Sequence, residues 1–265
     1  MSRRAKPLPW LGVALCLPAL LPVLALCVHL ASDVWAALHR YGVAHLLVWE
    51  WRPDAGQFGL ARLVLATLMA AILAMLMWLP LGLGTACWLG IFAPARSRRM
   101  GEIALGMLAS VPTTVAGLIV AALLVPVTNV GFAPVAVVLA LLQLPLFASG
   151  AAAAIRQRAD EIRLAAEALG LPPGAVCGII VSAARRGILS AALAAFGKSC
   201  GEALAVRMVA DLSGPSATLG AILAADHSNP SAEHTAMLAL VTLALFCVVL
   251  ALSFSVRRIE EVQPR

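Results

Sequence analysis

The chain has 265 residues, 62% of them hydrophobic and only 12% charged, against about 25% charged in an ordinary soluble domain. That composition excludes a soluble globule. The net charge of +6 is no sign of nucleic-acid binding, because the cations sit at the ends of apolar runs, the positive-inside pattern of a membrane protein.

In chain order, uncharged runs over 8–28, 63–95, 103–155 and 235–256 each reach the ~20 residues that cross a bilayer's hydrocarbon core. The third is far too long for one crossing, and Pro126, Asn129, Gly131 and Pro134 mark where it turns back. A fifth segment, 187–210, is apolar apart from Lys198, Glu202 and Arg207. The expected architecture is all-α, with six spans near 9–29, 63–93, 102–125, 133–155, 187–210 and 235–256. The first is read as a retained span, since it is longer than the ~7 to 15 apolar residues of a signal peptide and no small-x-small cleavage site follows.

Six spans put both termini on one side. Arg3, Arg4, Lys6, Arg96, Arg98, Arg99, Arg156, Arg158, Arg163, Arg185, Arg186, Arg257, Arg258 and Arg265 fall on that side, and only Arg40, Arg52 and Arg62 opposite. The termini are therefore expected in the cytoplasm. The six cysteines form no CxxC pair and read as free thiols. The five histidines lack ligand-like spacing, so no metal site is expected.

Residues 156–186 form the longest cytoplasmic stretch, with a small amphipathic helix at 160–170. Ile162, Ala165, Ala166 and Leu169 follow the i, i+3, i+4, i+7 rule, Arg163 and Glu167 can pair at i, i+4, and Gly170 before Pro172 and Pro173 ends the helix. Its apolar face either packs on its own spans and lipid or docks in a groove of a cytoplasmic partner.

In the fifth span Lys198 and Glu202 share a face at i, i+4 spacing. A mid-bilayer charge costs on the order of 2.5–3.5 kcal/mol, so such residues face a bundle interior or a wet cavity. They read either as a structural ion pair or as a substrate or gating position. Gly197 and Gly201 form a GxxxG on the same helix. Gly197-Lys198-Ser199 imitates the end of a Walker A loop, but Ala192 stands where its first glycine is required. No HExxH or GxSxG motif supports a hydrolase, and no catalytic residue is assigned. Pro80, Gly82, Gly84, Pro112, Gly117 and Pro145 interrupt spans, which serves either a cavity or ordinary bending. Thr113 and Thr114 beside Pro112 are candidate cavity-lining hydroxyls.

Four stretches carry a resemblance to a family: 41–53 (YGVAHLLVWEWRP), 79–94 (LPLGLGTACWLGIFAP), 109–117 (ASVPTTVAG), and 162–209, in which GKSCGEALAV stands where phosphate permeases have a GRAxGETxAV-like string. The chain resembles the transmembrane subunits of type I ABC importers with a MetI-like core, and among them the phosphate-transport permeases, closest to the PstC type. The resemblance implies an N-terminal tail, span and periplasmic segment over 1–60, a five-helix permease core over 61–256 with a coupling loop at about 156–186, and a cytoplasmic tail over 257–265. It implies a second permease subunit, identical or different, a cytoplasmic ATPase dimer that holds ATP and magnesium, a periplasmic phosphate-binding protein, and an inner-membrane location. No cofactor is expected in this chain. By the same resemblance Ile162, Leu164, Ala165, Ala166, Glu167, Leu169 and Gly170 dock the ATPase, and Lys198, Glu202, Thr113 and Thr114 line the pathway.

The sequence departs from the family pattern at named positions. Leu164 stands for the acidic residue of Glu-Ala-Ala, Val181-Ser182 for a Leu-Pro, Lys198 for Arg, Ala203 for Thr, and Ile91 where an acidic residue is common. Lysine is a point charge and arginine a planar fork, so Lys198 changes anion recognition. Another oxyanion, a weakly active scaffold or sensor paralogue, and a secondary carrier are the alternatives the sequence leaves open.

Overall fold

The computed structural model describes residues 9–42, 49, 51–52, 57–225 and 232–261. Expectations resting on Arg3, Arg4, Lys6, Arg265 and most of 41–53 lie outside the described residues, as do the side chains of Glu161 and Glu167.

The chain is helical nearly throughout. α1 spans Pro9–Tyr41, a two-residue hairpin pairs β1 (Trp51–Arg52) with β2 (Gln57–Phe58), and α2 (Leu60–Cys87) continues as a π-helical turn, Trp88–Phe92. Then follow α3 (Ala95–Ala109), α4 (Thr113–Thr128), α5 (Phe132–Ala168), α6 (Pro173–Gly201), α7 (Leu204–Arg207), α8 (Leu219–Ala225) and α9 (Ala232–Glu261). Among the described residues, Leu60–Phe92, Phe132–Ala159 and Pro173–Gly201 are long and apolar enough to cross a membrane, and α9 carries a shorter apolar stretch, Met237–Leu252.

Three boundaries differ from the sequence expectation. The span at 102–125 is not one helix: α3 and α4 meet at 84°, because Pro112 has no N–H to continue the ladder and instead starts α4 by accepting from Val115 and Ala116. The amphipathic segment at 160–170 is not a separate helix but the last turns of α5, since no breaker separates it from the span. The fifth span runs over Pro173–Gly201 instead of 187–210. Pro173 sits at the first turn, where its missing N–H costs nothing, and Glu202 leaves the helix in extended geometry (φ −74°, ψ 126°).

Both turns read from local chemistry are present. Asn129 closes α4 in the left-handed region at φ +61°. Gly170 at φ +65° ends α5, with the Leu171 N–H bonded to Ala166 O at 3.1 Å, the long bond of a Schellman turn.

In lipid, helices associate through close packing of small residues more than through hydrophobic burial, and the glycines here report the register. A Cβ on Gly82 would lie 2.5 Å from Phe147, and one on Gly90 2.6 Å from Ile155. Contacts advance equally along both chains, so α2 and α5 run parallel. Gly150 meets Ala191 and Gly187 meets Ala154, which makes α5 and α6 antiparallel. Gly197 and Gly201 face Leu252 and Val249, so the GxxxG seats α6 antiparallel on α9. Trp78, Leu139, Phe147, Ile155 and Ile180 fill the core between these helices. A second cluster packs α1, the hairpin and the start of α2 on α8 and α9 through Val34, Trp51, Leu63, Leu219 and Val241.

Candidate functional site

Lys198 lies in the last turn of α6 and is exposed, and Glu202 follows one residue after the helix ends. They do not form the structural ion pair that was one of the two readings left open by their spacing. Ion pairs join His29 to Asp33 and Arg156 to Glu102; among the described residues Lys198 and Glu202 make none within 4.0 Å. The physical reason is the break itself, which takes Glu202 off the helical face it would share with Lys198. Glu202 Oε1 instead accepts weakly from the Ala205 N–H at 3.4 Å, at the start of α7.

Two glycines from other elements close on this break. A Cβ on Gly220 of α8 would come 2.6 Å from the Glu202 carbonyl oxygen, and one on Gly117 of α4 would come 2.9 Å from Ala205 Cα. Thr113 and Thr114 form the first turn of α4, with Thr113 one turn before Gly117. Ser110 just before α4 and Thr128 at its far end bond back to Met107 O and Leu124 O, whereas neither the Thr113 nor the Thr114 hydroxyl bonds to another described residue. The structure thus brings the Thr113 helix and the Glu202 break together and, among the described residues, leaves the Lys198 ammonium without an acidic partner.

Neither α8 nor the loop before it was anticipated from the sequence. Asp211 Oδ1 accepts from Ser213 and Gly214 N–H at 3.2 and 3.0 Å, Ser216 Oγ accepts from the Asp211 N–H, and Thr218 caps α8 at Ala221. The Thr67 hydroxyl in α2 receives the Leu219 N–H at 2.9 Å and fixes α8 beside the break. Asp, Ser, Gly and Pro clustered at 211–216 are turn formers and were the available clue.

At the other end of α6, Leu164 and Leu169 are 72% and 76% exposed, whereas Ala166 is buried and Ile162 packs on the core. The predicted apolar face is therefore split: Ile162 and Ala166 hold α5 in place, and Leu164, Ala165 and Leu169 point away from it. Beside them lies a cavity of about 220 Å³ lined by Gly90, Phe92, Arg98, Arg156, Arg163 and Ile180, among others. Arg98 donates to Ala93 O at 3.0 Å and Arg156 pairs with Glu102 of α3. This basic cavity was not foreseen, because its arginines come from separate segments.

Among the described residues no group of three His, Cys, Asp or Glu could hold a metal ion. Gly197, Lys198 and Ser199 are helical, so their backbone N–H groups are not arranged as a phosphate loop.

Comparison with known proteins agrees with this architecture. The family described as binding-protein-dependent transport system inner membrane component matches residues 82–262. The chain is 28% identical over 263 residues to the phosphate transport system permease protein PstA 1 of Mycobacterium tuberculosis (strain CDC 1551 / Oshkosh), covering 93% of this chain and 85% of that protein. It is 24% identical over 268 residues to the phosphate transport system permease protein PstC of Xylella fastidiosa (strain 9a5c), covering 86% and 83%. A chain of the MetNI methionine ABC transporter, solved in inward-facing conformations, superposes with a TM-score of 0.56 at 18% identity, covering 76% of this chain and 94% of that one. This last likeness shows the all-α, MetI-like fold and nothing about the solute.

Proposed function

From the premise that the chain belongs to the family of binding-protein-dependent transport system inner membrane components, we propose that it is a permease subunit carrying inorganic phosphate across the inner membrane by alternating access. The family is one of transport subunits and not of enzymes. The energy comes from a separate ATPase dimer, which holds ATP and magnesium, and the solute arrives from a periplasmic phosphate-binding protein. A second permease subunit, identical or different, completes the pathway. Similarity to phosphate permeases over 93% of the chain is the observation that carries this reading.

Residues 61–256 form the permease core, with both termini in the cytoplasm in keeping with the charge distribution. Lys198 supplies the positive charge that an oxyanion needs within the bundle. Glu202, Thr113 and Thr114 border the same pathway, with two unengaged hydroxyls to offer. Leu164, Ala165 and Leu169 meet the ATPase, while Ile162, Ala166 and the Gly170 turn hold them in position; the family resemblance adds Glu167 to the docking set.

The test is phosphate uptake by the assembled transporter reconstituted in liposomes. Lys198→Ala should reduce uptake at least tenfold, as expected when a charge-assisted contact of about 1.5–3 kcal/mol is removed, with the complex still assembling. Unchanged uptake kinetics would remove Lys198 from the pathway. A second reading, a sensor subunit that binds its partners and transports little, draws on the missing acidic and proline positions at Leu164 and Ser182. It predicts ATPase copurification without phosphate-dependent ATP hydrolysis.

A further inference from the structure

Gln143 is 0% exposed within α5, and neither its amide nitrogen nor its carbonyl oxygen has a partner among the described residues. Such a group costs about 1–3 kcal/mol to leave unsatisfied, so its presence in an apolar helix calls for a reason. Trp78 in α2 is equally buried, and its indole N–H is also unpartnered.

The helix registers put these groups in one layer with Lys198. Gly150 of α5 meets Ala191 of α6, and the two helices are antiparallel. Two turns back from Gly150 is Gln143, and two turns on from Ala191 is Lys198. Seven residues return to nearly the same helical face, so the two stand opposite each other on the α5–α6 seam. On the parallel pair, Gly82 meets Phe147. One turn earlier on each helix come Trp78 and Gln143, and the Trp78 ring packs on Phe147 at 4.8 Å. Packed helix axes lie about 8–10 Å apart, a gap that a lysine and a glutamine reaching toward each other can close. In this conformation Lys198 is turned outward and exposed.

We propose that Gln143 is a positioning residue for Lys198. Its Oε1 has two lone pairs, one for the Trp78 indole N–H and one for the Lys198 ammonium when that cation swings between α5 and α6. Lys198 alternates between this resting acceptor and the solute, so a desolvated ammonium always has an acceptor available. Pro145, two residues after Gln143, removes one helix hydrogen bond beside the seam and gives α5 local freedom there. The inference deepens the reading of Lys198 as the solute-contacting cation and rests on it.

The experiment uses the assembled transporter in liposomes with inorganic phosphate as solute. Gln143→Leu should raise the KM for phosphate about tenfold, because losing a charge-assisted hydrogen bond lowers the fraction of Lys198 held ready, with the maximal rate nearly unchanged. A merely structural role would lower the maximal rate or the yield of complex and leave the KM alone. In a background freed of native cysteines, Gln143→Cys with Lys198→Cys should be bridged by a short bis-thiol reagent, and Gln143→Cys with Leu193→Cys, on the opposite face of α6, should not. Absence of the first bridge in an assembled complex, or an unchanged KM in Gln143→Leu, overturns the proposal. If Lys198→Ala is inactive while the bridge is absent, only this inference falls; if Lys198→Ala transports normally, both fall.

Discussion

Gly117 of α4 lies against Ala205 of α7 so closely that a Cβ added to it would sit 2.9 Å from the Ala205 Cα. The neighbour is backbone and cannot swing aside. Gly117→Val should therefore destabilise the protein by about 1–3 kcal/mol, read as a lower thermal unfolding midpoint in detergent. Gly106→Ala is the matched control: its Cβ meets nothing within 4 Å, and it should be neutral or stabilising by up to about 1 kcal/mol. Equal loss in both variants would contradict the close approach.

Much of the fold was legible because its signals are local. Gly170 ends α5 through its own backbone freedom, and the apolar runs at 63–93 and 133–155 mark two of the three helices long enough to cross a membrane among the described residues. What escaped depended on distant parts of the chain. Lys198 and Glu202 look like a helical pair from their spacing, and only Gly201 hints at the end of α6; the break packs against Gly220 arriving from α8, far along the chain. The 160–170 segment has helical periodicity of its own, which disguises its continuity with α5. Gln143 was passed over because a single glutamine scarcely changes the hydropathy of a long apolar run.

Thr67 holds α8 by accepting the Leu219 N–H at 2.9 Å while donating to Leu63 O at 2.7 Å. Thr67→Val keeps the shape and removes the acceptor, leaving a buried N–H unpaired. A loss of about 1–3 kcal/mol is expected, with Thr67→Ser recovering most of it. Denaturant unfolding followed by tryptophan fluorescence distinguishes the two.

Arg156 and Glu102 join α5 to α3, but their side chains are 40% and 47% exposed. Partly solvated pairs of this kind contribute about 0–1 kcal/mol. Glu102→Gln should accordingly shift stability by no more than about 1 kcal/mol, and a larger loss would mean that the pair anchors α3.

Replacing Leu164, Ala165 and Leu169 together by charged residues should abolish copurification of the ATPase while the subunit still inserts in the membrane. Two of the three are large, exposed apolar side chains at the end of α5, so their exchange leaves the core intact. Replacing the buried Ala166 should instead reduce the yield of folded protein. Normal ATPase recovery with the triple variant would sink the docking assignment.

The glycine contacts between α2 and α5 have a mechanical corollary. With Phe147 seated on Gly82 and Ile155 on Gly90, neither helix can slide along the other without driving backbone through a side chain. The pair behaves as a rigid lever whose handle is the exposed Leu164–Leu169 end. A push there is carried along the locked stretch between Ile155 and Phe147, and the give in the molecule is left to the joints at Pro112, Pro145 and Glu202.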